Sequence, residues 1–131
     1  MKTTYLNPKT VDRKWYVFDA TGKTLGRFAT EIANILRGKN KVCFAPNHDN
    51  GDYVVIINAK DLKLTGTKEK DKMYYRHSKF PGGLKSESAE TLRIKNPEKI
   101  VFESIKGMIP RNKLRKPILS KLKIFASDQH D

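Results

Sequence analysis

The run Trp15, Tyr16, Val17 and Phe18 joins aromatic and β-branched residues that suit a covered, pleated surface, and it predicts a buried first strand. Asp19, Ala20, Thr21 and Gly22 interrupt it. From Leu25 the apolar residues take a helical period: Leu25, Phe28, Ala29, Ile32, Ala33, Ile35 and Leu36 share one stripe, opposite Arg27, Thr30, Glu31, Asn34 and Arg37. Gly38 stands where a left-handed cap is cheapest. Tyr53 to Ile57 is a continuous Val/Ile-rich run, as expected of a strand covered on both faces. Strand, helix and strand together predict a βαβ unit with two parallel neighbouring strands.

Pattern is weaker elsewhere. Met1 to Asp12 is polar and reads as an extended arm, and Ala45 to Asp52 as a loop. Leu62 to Leu64 is a short apolar segment, followed by a charged loop or hairpin tip over Lys68 to Lys72. Ser88 predicts the cap of a short helix over Ala89 to Ile94. Asn96, Pro97 and Glu98 open another helix, with Ile100, Val101, Ile105 and Met108 on its buried stripe and Gly107 and Pro110 at its end. Pro110 to Leu119 reads as a loop and short helix with Ile118, Leu119 and Leu122 inward. Lys123 to Ala126 reads as a last strand beside the first, and Ser127 to Asp131 as a frayed tail.

The 131 residues form one domain on this reading. The 27 Lys and Arg against 14 Asp and Glu leave a net charge of +13, which points to a polyanionic partner. No apolar run approaches the roughly 20 residues of a membrane helix, so nucleic acid is favoured over a membrane. The single cysteine, Cys43, reads as a small buried hydrophobe, and no Cys or His pair has zinc-ligand spacing; neither metal nor cofactor is expected. The three histidines have no nucleophile or carboxylate arranged around them, so no enzyme activity is expected.

Two stretches are acid-free and basic. Between Lys72 and Ser86 lie Tyr74, Tyr75, Arg76, His77, Lys79 and Lys85 with a Pro-Gly-Gly turn, a mixture of cations and rings suited to phosphates and unpaired bases. From Ser104 to Ser127 there is no acid, while Lys106, Arg111, Lys113, Arg115, Lys116, Lys121 and Lys123 supply seven positive charges. Such a face normally mixes both signs. Lys23 and Arg27 near the glycine turn, and Arg37, Lys39 and Lys41 at the first helix's end, complete the candidate RNA-binding set. Gly22, Lys23 and Thr24 also invite a P-loop reading. That motif needs a glycine five residues before Gly22, where Val17 stands, and an aspartate after the second strand, where Asn58 stands. A nucleotide-hydrolysing enzyme is the rival reading and a free-standing basic RNA or DNA chaperone a third.

Several motifs, in order, resemble one family. Lys14-Trp15-Tyr16-Val17 with Asp19 to Arg27, Asn50-Gly51-Asp52-Tyr53, Tyr74 to Ser78 with Pro81 to Lys85, and Lys106 to Pro110 resemble the large-subunit ribosomal protein L thirteen family, bacterial or organellar type. Arg115, Lys116 and Pro117 depart from its usual Gly-Arg, and Ser127 stands where glycine is common. The resemblance implies a three-layer α/β/α domain around a mostly parallel sheet of about four strands. It implies a structural role in the large subunit, early in its assembly, on a cytoplasmic or organellar ribosome. Its expected partners are large-subunit rRNA and neighbouring ribosomal proteins, with mRNA as a further candidate.

Overall fold

In the computed structural model, which describes residues 6–130, strand β1 (Trp15–Asp19), helix α1 (Leu25–Arg37) and strand β2 (Tyr53–Ile57) form the expected parallel βαβ unit. Trp15 registers with Tyr53 and Asp19 with Ile57. Helix α1 ends as its sequence requires. Gly38 adopts φ 78°, its amide donates to the Ile35 carbonyl at 3.0 Å, and the Lys39 amide donates to that of Asn34 at 2.9 Å.

The chain continues through a 3₁₀ turn (Ala59–Asp61), a one-turn helix α2 (Lys68–Asp71), strands β3 (Met73–His77) and β4 (Leu84–Ser88), and helices α3 (Ala89–Lys95), α4 (Pro97–Met108) and α5 (Arg115–Ser120). Strand β5 (Leu122–Ile124) closes the order. Ser88 caps α3 by accepting from the Thr91 amide at 3.3 Å, and Asn96 caps α4 by accepting from the Lys99 amide at 3.2 Å. Both caps were legible in the sequence. Met108, expected on the buried stripe of α4, is exposed at the helix end instead.

The α/β class and a mostly parallel sheet hold. The main sheet has three strands in the order β1-β2-β5, and β3 and β4 form a separate antiparallel ribbon. Thus β5 lies beside β2 rather than beside β1. Both crossovers then step the same way across the sheet, and right-handed connections put α1 and α4 on the same face. Their stripes meet there with Phe18, Val54, Ile56, Leu122 and Ile124 in one apolar cluster. Strand β2, in the centre, is buried on both faces as expected. Strand β1 is an edge and is covered on one face only: Tyr16 and Phe18 turn inward, while Trp15 and Val17 are 58% and 60% exposed. No helical layer covers that face of β1 among the described residues. Residues 1–5 of the expected arm and Asp131 of the tail lie outside the described residues.

A polar knot joins the C-terminus of α1 to the loop before β2 and the start of β5. Asp52 is fully buried, pairs with Lys41 at 2.6 Å and accepts from the Lys14 amide at 2.9 Å. Lys121, 4% exposed, pairs with Asp49 and donates to the Leu36 carbonyl at 3.1 Å, where the helix dipole is negative. Burial lowers the Lys121 pKa, and Asp49 opposes that shift. Gly51 is required in the knot because a Cβ there would lie 1.8 Å from the Leu36 oxygen.

Candidate nucleic-acid interface

The stretch expected to be an RNA-contacting loop is the β3–β4 ribbon. Tyr74 registers with Glu87, Tyr75 with Ser86, Arg76 with Lys85, and His77 with Leu84. Residues two apart share a face, so Tyr74 and Arg76 lie together with Lys85 and Glu87. Tyr74 is half-buried against the main core, under the Lys72 ammonium 5.5 Å from its ring centroid. Burial raises its pKa, with the nearby Glu103 charge adding to the effect. Tyr75, on the other face, is 67% exposed. Arg76, His77, Lys79 and Lys85 are exposed as well, with His77 Nδ1 accepting from the Lys79 amide at 2.9 Å.

Exposure divides the remaining candidates. Lys23, Arg27, Lys39, Arg111, Lys113, Lys116 and Lys123 are exposed, and among the described residues no carboxylate pairs with them. Arg37 is half-buried with its guanidinium 5.8 Å from the centroid of Phe44. Arg37 and Phe44 line a small cleft with Pro110, Asn112 and Leu114, so the end of α1 adjoins the basic loop before α5.

Four candidates are engaged inside the protein. Lys121 and Lys41 belong to the polar knot, a structural placement that their sequence neighbours do not reveal. Lys106 pairs with Glu103 at 3.1 Å, and its ammonium lies 5.9 Å from the Phe102 ring centroid. Arg115 donates to the Lys106 carbonyl and is half-buried, so it is not the freely solvent-facing side chain expected from the sequence.

The structure adds cations that the pattern missed. Lys63, Lys68 and Lys72 line a carboxylate-free groove of about 290 Å³ beside Thr24, Leu25 and Gly26. Their sequence neighbours Glu69 and Asp71 masked them, but Glu69 turns away to pair with Arg93. Lys99 joins Arg76 and Lys85 in a larger cleft under the ribbon. The signal available in the sequence was Lys99's position on the first turn of α4, which faces the ribbon only after α3 packs against α4.

The turn at Gly22 cannot act as a phosphate cradle. A P-loop aims successive amides at the anion, whereas here Gly22 donates to Asp61, Lys23 to Ala20 and Leu25 to Lys63, all within 3.1 Å. The Lys23 and Arg27 side chains line a shallow groove there with Glu31.

The family model described as "Ribosomal protein L13" matches residues 13–131. The protein named "Large ribosomal subunit protein uL13" of Listeria monocytogenes serotype 4b (strain F2365) is 54% identical over 132 residues, covering 100% of this chain and 91% of the relative. Those of the same name from Alcanivorax borkumensis and Hahella chejuensis are 53% and 52% identical over 130 residues, covering 99% of this chain and 92% of each relative. A likeness of that depth along the whole chain leaves one assignment: the chain belongs to the ribosomal protein L13 family.

Proposed function

We infer that the protein is a structural constituent of the large ribosomal subunit, not an enzyme, and that it binds large-subunit rRNA in a bacterial-type cytoplasmic ribosome during early assembly. The observation that carries this reading is the set of exposed cations on the β3–β4 ribbon and the loop before α5 that have no carboxylate partner among the described residues. A folded polyribonucleotide supplies the missing negative charge through its phosphates, while the exposed Tyr75 ring stacks at an unpaired base. The apolar edge strand β1 offers a surface to neighbouring ribosomal proteins. Among the described residues, no helix is long and apolar enough to cross a membrane. Messenger RNA as a partner finds no support in the fold or in the relatives' names.

Two measurements test the reading. In a sucrose gradient of native extract the protein should travel with the large subunit; sedimentation with free protein would overturn it. With six or more phosphates neutralised, affinity for an rRNA fragment should fall by orders of magnitude between ~50 and ~200 mM salt, and a flat profile would refute the electrostatic mechanism. The variant Arg111→Ala/Lys113→Ala/Lys116→Ala should keep its melting temperature and lower the log–log salt slope by about 3. Arg115 is left intact because it holds the Lys106 carbonyl.

A further inference from the structure

The ribbon does not lie flat on the helices. Between β3–β4 and α3–α4 is a cleft of about 850 Å³, within the range that holds small ligands. Its charges are unbalanced. Arg76 and Lys85 stand directly opposite one another across the ribbon, a like-charge pairing that destabilises a sheet unless something else stabilises it. Lys99 lines the same cleft from α4. Two carboxylates also line it, but Glu87 is bonded to Lys95 at 3.0 Å and Glu103 to Lys106 at 3.1 Å. Among the described residues Arg76, Lys85 and Lys99 therefore remain without a bonded anion, although Lys99 and Arg76 help hold Glu87 ionised behind Lys95.

A second feature is independent of charge. The Tyr74 hydroxyl is buried and has no hydrogen-bond partner among the described residues, which native structures avoid. Tyr74 lines the cleft on the ribbon face that carries Arg76, about 7 Å further along the strand.

We propose that this cleft receives one unpaired ribonucleotide, its phosphate held by Arg76, Lys85 and Lys99 and its 2′-hydroxyl bonded to the Tyr74 hydroxyl. The cleft is then the point at which the protein distinguishes RNA from DNA. The raised pKa of Tyr74 keeps its hydroxyl protonated, and so able to donate, throughout the physiological range. This inference rests on the rRNA-binding reading but adds a specificity that phosphate contacts alone do not give.

The test uses the full chain, a mixed-sequence single-stranded 12-nucleotide RNA, the DNA of the same sequence, and adenosine monophosphate, all at one salt concentration. RNA should bind about three- to tenfold more tightly than DNA, the range for one hydrogen bond. Tyr74→Phe, which keeps the ring in the core, should bring RNA down to the DNA level and leave DNA unchanged. Lys99→Ala should weaken both nucleic acids alike. An RNA-to-DNA ratio unaltered by Tyr74→Phe would overturn the cleft assignment while leaving rRNA binding intact. Displacement of the RNA by micromolar adenosine monophosphate would overturn it in favour of a free-nucleotide site. If wild-type protein bound neither 12-mer but did bind a folded rRNA fragment, the cleft assignment alone would fail; if it bound none of the three, the rRNA reading itself would fail.

Discussion

Lys121 and Arg76 are both cations in acid-free stretches of sequence, yet they meet opposite surroundings. Lys121 is buried against Asp49 and the Leu36 carbonyl, partners 72 and 85 residues away along the chain. Arg76 stands exposed on the ribbon with another cation, Lys85, as its cross-strand neighbour. Positive charge by itself therefore marks no function. What separates the knot from the ribbon is whether the fold delivers a carboxylate to the same place.

The knot gives the largest expected effect. Lys121→Met leaves Asp49 and the Leu36 carbonyl without their cation, and removing one member of a buried pair costs about 3–5 kcal/mol. Denaturant unfolding should show that loss, while the RNA salt slope of the folded variant stays as in wild type. A loss below ~1 kcal/mol would break the comparison.

The ribbon should behave inversely. Arg76→Ala/Lys85→Ala should leave unfolding free energy within about 0.5 kcal/mol of wild type, because the change relieves a like-charge pair. The same variant should lower the RNA salt slope by about 2.

Asp19 sharpens the contrast with the smallest effect, since it is exposed like the ribbon yet partnered like the knot. Thr21 bonds its carboxylate through hydroxyl and amide, at 2.6 and 2.9 Å, and Asn58 adds a bond at 3.1 Å, which lowers the Asp19 pKa. Its folded pKa lies below the unfolded value, so its contribution is present above about pH 4 and is lost as the pH falls through the folded pKa. Melting curves at descending pH should show a slightly shallower loss for Asp19→Asn than for wild type.

The parts legible in the sequence are those fixed by near neighbours. The α1 stripe, the Gly38 cap, and the Ser88 and Asn96 caps depend on residues within one or two turns, and each lies where its pattern predicted. The ribbon was read as a loop because β3 and β4 are mostly exposed and carry no apolar alternation. The position of β5 was misjudged because periodicity identifies a strand but not its neighbour in a parallel sheet. Lys41 and Lys121 were counted as surface cations for a related reason: the carboxylates that take them in come from the loop before β2. The exposed cations of the ribbon and of the loop before α5 were visible from the local absence of acids, and among the described residues no carboxylate pairs with them after folding.

The bond from Lys121 to the Leu36 carbonyl also sets an order of events during synthesis. At cellular elongation rates, the 85 residues between them take on the order of ten seconds to emerge. Throughout that interval the C-terminal end of α1 and the side chain of Asp49 lack their ammonium, and β2 has no strand on its far side. The first unit to leave the tunnel is thus the last to be locked, so a nascent chain stopped short of Lys121 holds its oldest helix only loosely.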